Sequence, residues 1–199
     1  MDLTCDRPKI YDEITNMCMN IYDAGEKLAV DEILIKLMDI PGIPMHDPFH
    51  HYIMPAASLV AAALATDTDR DTLQKWLSEA KRRGKTVPGG FCGECGACGS
   101  GVGAGIFLSV FTGAAPAKRE NWALVNRGTG YALTKVAEHP GPRCCKRTLF
   151  LATQAVCAYA RDNLGLQIEA NDKIKCHYYK NNKECLLKEC PFFPTSDKR

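Results

Sequence analysis

The chain has 199 residues, 46% of them hydrophobic, with 25 Lys and Arg against 23 Asp and Glu for a net charge of +2. That length supports one domain with a normal core, and the near-neutral balance excludes a dedicated nucleic-acid binder, which carries a clear basic excess. Eleven cysteines are the feature that needs a chemical explanation.

The opening stretch, MDLTCDRPKIYDEITN, is polar and acidic and has no signal-peptide pattern, and no apolar run reaches the length of a membrane span. We therefore expect a cytoplasmic chain with no membrane and no nucleic-acid partner. Thiols stay reduced in that compartment, so clustered cysteines point to metal or catalysis instead of disulfides. Residues 8–22 set Ile10, Ile14, Met17, Cys18 and Ile21 at helical spacing. A second helix is expected over 24–39, along Leu28, Ile33, Leu34 and Leu37, and PGIP at 41–44 ends it. MHDPFHHYIMP at 45–55 places His46, His50 and His51 ahead of a buried Ala- and Leu-rich helix at 53–65. Such histidines bind metal or move protons, and with Asp47 they are assigned to the neighbourhood of an active site. Asp67 or Asp69 caps a fourth helix that runs to Arg83. The basic run KRRGK at 81–85 reads as its solvated end.

PGGFCGECGACGSGVGAGIF follows at 88–107. Cys92, Cys95 and Cys98 form C-x2-C-x2-C, a spacing that lets three thiolates converge as the backbone wraps a small volume. Ferredoxin clusters use the same run, with another cysteine completing the set. The glycines permit positive φ and let N–H groups approach sulfide. Three readings stand: an iron–sulfur cluster, a zinc site, or metal-free thiols. Glu94, between two of the cysteines, is a candidate general base. The glycines also resemble a loose G-x-G-x-x-A, but no strand precedes them, so a dinucleotide fold is rejected. Gly99, Gly101 and Gly103 are instead expected to face, at a helix start, whatever the cysteines hold. The stretch 101–111 reads as a buried helix that packs through small residues. Residues 117–139 give one or two more helices, and 146–164 form the clearest helix of the chain, with Cys157 in the core.

PGPRCCKR at 140–147 puts Cys144 and Cys145 at the start of that helix, among Arg143, Lys146 and Arg147. A helix N-terminus and neighbouring cations favour thiolate. Cys145 is read as the fourth ligand of the Cys92, Cys95 and Cys98 cluster and Cys144 as a free reactive thiol; a vicinal disulfide and two plainly half-buried cysteines are the rival readings. In the tail, KCHYYKNNKECLLKECPFFP at 175–194 carries Cys176, His177, Cys185 and Cys190. These suffice for a second metal, zinc or a second cluster, with Cys5 as a further candidate ligand.

The stretches PGGFCGECGACGSGVGAGIF, GPRCCKR and KCHYYKNNKECLLKECPF, in this order, resemble a cysteine-rich domain family of unknown function found in anaerobes and archaea, alone or fused to S-adenosylmethionine-dependent methyltransferase domains. The similarity runs from about His46 onward. It implies an oxygen-poor setting that suits an oxygen-sensitive cluster, and a methyltransferase or redox protein as partner. The expected fold is mostly α: a helical domain over 1–169 with a glycine- and cysteine-rich metal-binding loop, and an irregular metal-binding tail over 170–199 packed on it. The expected function is an iron–sulfur protein, with a four-iron, four-sulfide cluster, that transfers or removes sulfur or performs redox chemistry on a small molecule or sulfur species. Cys144, Glu94, His50 and His51 are its candidate catalytic groups. The alternatives are a zinc-stabilised accessory module and a metal-free thiol–disulfide relay.

Overall fold

The computed structural model describes residues 7–194. Among these the chain forms eight α-helices and no strand: α1 (Arg7–Ala24), α2 (Val30–Met38), α3 (Phe49–Ala65), α4 (Arg70–Gly84), α5 (Phe91–Glu94), α6 (Gly99–Thr112), α7 (Arg119–Ala137) and α8 (Cys145–Leu164). The helical bundle expected from the apolar periodicity is the fold observed.

Every residue of α3 from Phe49 to Ala63 is buried. A helix that is apolar on all sides must lie in the middle of a bundle, and α1, α2, α4, α6 and α8 pack around it. The outer helix, α7, lies on α6 and α8. Pro55 sits inside α3 and, lacking an N–H, cannot bond the carbonyl of His51. The backbone of α6 comes close at this place: a Cβ on Gly103 would stand 2.8 Å from Met54 Cβ and 3.2 Å from His51 O. The opposite side of α6 is equally tight, since a Cβ on Gly101 or Gly105 would collide with Leu133 or Thr129 of α7. The alternating glycines of α6 thus let one helix fit between two others, and Gly101 and Gly103 serve packing.

Several boundaries differ from those expected. Helix α1 ends at Gly25, whose φ of +66° suits a left-handed helix stop, so α2 begins at Val30 and not near residue 24. Helix α3 starts four residues early because Asp47 organises its first turn: Asp47 Oδ1 accepts the Phe49 N–H at 2.9 Å and Asp47 O accepts the His50 N–H at 3.2 Å. The region 117–139 is one helix, despite Gly128 and Gly130.

Beyond α8 the chain is irregular, with short 3₁₀ turns at Tyr178–Asn181 and Leu187–Glu189. Polar and aromatic contacts tie this tail to the bundle. Buried Asp31 accepts the Asn171 backbone N–H at 2.8 Å and its side-chain amide at 3.1 Å. Tyr178 Oη donates to Asp39 Oδ1 at 2.7 Å. The Phe192 ring meets the edge of Phe150 with centroids 5.2 Å apart.

Candidate functional site

The starts of α3, α6 and α8 line a cavity of 710 Å³, closed on another side by the α7 C-terminus and the 139–143 loop. His46, Asp47, His50, His51, Cys92, Cys98, Cys144, Cys145 and Arg147 stand in its wall. Burial raises the Cys145 thiol to about 11, opposed by the Asp47 backbone N–H, which favours the thiolate. Asp47 itself is gripped by Arg7 through two hydrogen bonds of 2.8 Å.

Backbone carbonyls fix the tautomers of the two buried histidines. His50 Nδ1 lies 2.7 Å from Asp47 O, and His51 Nδ1 lies 3.0 Å from Val87 O. A carbonyl only accepts, so both Nδ1 atoms carry the proton and both Nε2 atoms present a lone pair. Buried His50 Nε2 has no partner. Burial, aided by the nearby Lys146 charge, holds the His50 imidazole down at about 3, against an ordinary value near 6.5. Between those values the unfolded chain binds a proton that the folded one refuses, so stability falls as pH drops from about 6.5 toward 3. Between pH 7 and 5 the loss should be about 2 kcal/mol. Thermal melts at the two pH values should show it, and His50→Asn, whose amide can keep the bond to Asp47 O, should flatten the dependence. Equal slopes in both proteins would remove His50 as its source.

A second, smaller cavity adjoins the first, and Cys144 and Arg147 line both. Its wall contains Cys144, Cys176, Cys185 and Cys190, with Met45, Tyr178, Tyr179, Phe192 and Phe193. All four sulfurs face backbone N–H groups a few residues ahead in the chain. Arg147 N donates to Cys144 Sγ at 3.5 Å and Leu187 N to Cys185 Sγ at 3.4 Å. The N–H groups of Tyr178 and Phe192 likewise favour the thiolates of Cys176 and Cys190, against a larger effect of burial that raises both and takes Cys176 to about 11. Leu187 is exposed yet has a φ of +51°, a left-handed backbone that costs a non-glycine residue about 1–3 kcal/mol.

Lys146 is 1% exposed, and its Nζ has no hydrogen-bond acceptor. It lies over the Tyr178 ring, 4.8 Å from the centroid, near Cys144, Cys145 and Cys176, and burial lowers it to about 8. Cys145, Asp39 and Cys144 act on it against that burial, and a buried ammonium is expensive unless such negative charge compensates it. As the chain is folded, no three His, Cys, Asp or Glu side chains among the described residues are grouped to hold one metal ion. The four tail-side cysteines border a shared space.

Both adjacent cysteines line the larger cavity with Cys92 and Cys98, and Cys144 alone of the two also lines the smaller one with the three tail cysteines. Cys95 lies exposed at the end of α5, and Glu94 is exposed beside it. Gly99 lines the larger cavity, with no room for a Cβ against the His51 ring. Cys5, considered as a ligand, lies outside the described residues. The ten described cysteines are free thiols, and Cys157 is buried in the core. Lys146, Arg147 and His139 were not singled out as site residues from sequence. For Lys146 a signal existed: it shares a face of α8 with Leu149, Phe150 and Thr153, all buried, and a lysine on such a stripe needs a charge partner.

The molecule is thus an all-α, cysteine-rich bundle with two adjoining thiol-lined cavities, and none of its described helices is long and apolar enough to cross a membrane. The chain belongs to the DUF5714 family, a family of unknown function, whose pattern it matches over residues 14–193. No curated protein and no solved structure matches it.

Proposed function

We propose that Cys144, Cys176, Cys185 and Cys190 hold a four-iron, four-sulfide cluster in a cytoplasmic protein, and that the adjoining cavity brings a small substrate to Cys145 and Cys98 for redox or sulfur-transfer chemistry. The observation that carries this reading is the backbone N–H aimed at each of the four sulfurs. A neutral thiol is a weak acceptor, whereas hydrogen bonds to sulfur are how proteins stabilise and tune metal-bound thiolate. Three further features support it. The donors are all soft thiolates, the ligand class that iron–sulfur clusters use. They line one apolar cavity of 20 Å³ between α8 and the tail. Lys146 supplies a buried positive charge beside thiolates that carry a net negative one.

Such a cluster, when bound, supplies single electrons or an electrophilic iron. The chain's own residues do the rest. Tyr178, Tyr179, Phe192 and Phe193, in the same wall, keep water away from the sulfurs, and the peptide bond between Cys144 and Cys145 joins the cluster side to the substrate side. A methyltransferase or redox protein as partner, and an oxygen-poor cell, fit the family resemblance described for the three cysteine stretches. The second reading keeps Cys92, Cys95, Cys98 and Cys145 as cluster ligands; Cys92, Cys98 and Cys145 sharing one cavity favours it, and the exposure of Cys95 weighs against it.

Oxygen-free purification followed by iron, sulfide and zinc analysis, with visible spectra before and after dithionite, tests the proposal. About four iron and four sulfide per chain, with a visible band that bleaches on reduction, are expected. Zinc alone would overturn it in favour of a structural accessory module. Absence of metal, with a Cys144–Cys145 disulfide that responds to reductant, would favour a thiol relay.

A further inference from the structure

We propose that the 710 Å³ cavity is an oxyanion site that grips the carboxylate or phosphate of a small substrate. This rests on the function proposed above and names its substrate class; the two sites share Arg147, and Arg143, which lines only the larger cavity, tests the anion site by itself.

The cavity is built of donors. Helix α6 has 14 residues and no side-chain cap, and Gly99 and Ser100 at its start line the cavity with backbone N–H groups that make no hydrogen bond. Helix α8 has 20 residues; the Cys144 sulfur caps Arg147 N and leaves the N–H of Cys145, which also lines the cavity, without an acceptor. Two helix N-termini therefore turn partial positive charge and open donors toward one space. Alone this would be weak. The independent observation is Arg147, 4% exposed, in the cavity wall, with Nε unpartnered and Nη2 bonded only to the Pro142 carbonyl at 2.8 Å. It lies between the two cavities and its charge also acts on the Cys190 thiol, but it meets no carboxylate, and a buried guanidinium so placed favours an anion beside it. Arg143 adds a second cation at the exposed rim.

Nothing in the wall cancels that charge. Asp47 is the one carboxylate among the described lining residues, and Arg7 already neutralises it. Ser100 and Thr148, whose hydroxyls are 3.0 Å apart, bridge α6 and α8 in the same wall. Cys98 and Cys145, at the two helix starts, would then flank the bound anion.

Isothermal titration of intact, anaerobically prepared protein in low-chloride buffer with inorganic phosphate, and separately with acetate, tests this. Binding of at least one probe with Kd below about 10 mM is expected. Phosphate alone identifies a phosphate ester and acetate alone a carboxylate. Arg143→Gln and Arg147→Lys should each weaken binding about tenfold. Circular dichroism checks that both variants fold, and Arg143→Gln, at the rim, should do so. Failure of both probes to bind at about 50 mM overturns the proposal. So does binding unchanged in both variants. Anion binding by a protein free of iron would keep this proposal and reject the cluster.

Discussion

Replacing Cys190 by alanine is expected to abolish the visible absorbance and bound iron of the anaerobic protein, while Cys95→Ser leaves both as in the parent. The contrast follows from where the sulfurs lie. Cys190 borders the space shared with Cys144, Cys176 and Cys185, whereas Cys95 is exposed at the end of α5. The tail has only short 3₁₀ turns of its own, so much of its order must come from contacts with the bundle and, on the proposed assignment, from the metal its cysteines would hold. Loss of that metal should cost about 4 kcal/mol, or roughly 10 °C in melting temperature for a chain of this size. Trypsin should then cut near Lys183 and Lys188, both exposed, faster than it does in the parent. If Cys95→Ser removes the iron and Cys190→Ala retains it, the ligands are those of the C-x2-C-x2-C run and the assignment made here is wrong.

Two glycines in α7 should respond to alanine with opposite sign. A Cβ on Gly128 would collide with Leu108 Cδ1 and lie 2.8 Å from Tyr159 Cε1. Tyr159 cannot easily swing aside, because its hydroxyl donates to Leu124 O at 2.8 Å. Overpacking of this kind costs about 1–3 kcal/mol. Gly130, two residues on, has nothing within 4 Å of the same position, so alanine there gains only helix propensity, about 1 kcal/mol. The Gly128→Ala and Gly130→Ala variants should thus differ by about 3 kcal/mol in urea unfolding. Equal stabilities would mean that α7 does not sit as closely on α6 and α8 as described.

The helices were legible because their apolar residues recur with the helical period: the stripe of Leu149, Ala152, Val156 and Ala160 is all buried in α8. Their ends were less so. Gly25 stops α1 through its backbone conformation, and Asp47 starts α3 through a side-chain bond; neither alters the apolar pattern. The glycines of α6 could be read as small, but whether their missing side chains make room for a ligand or for a neighbouring helix depends on where α3 and α7 lie. The cysteine pairing was the least legible. Local spacing joined Cys95 to Cys92 and Cys98, yet the chain leaves α5 through Gly96 at φ +66°, and Cys95 stays outside the cavity wall. Cys144 meets sulfurs more than thirty positions away, and no local pattern records such a meeting. Charge alone does not distinguish Cys144 from Cys145, because the two share the same cations and the same helix start.

The ring of sulfurs has a consequence for biosynthesis. Cys144 leaves the ribosome well before Cys176, Cys185 and Cys190, and by then all the helices up to α7 have emerged. The bundle can therefore begin to close while one sulfur waits for the other three, and on the proposed assignment cofactor insertion must follow translation of the last of them. A nascent chain stalled after α8 would present that lone thiol to any passing oxidant.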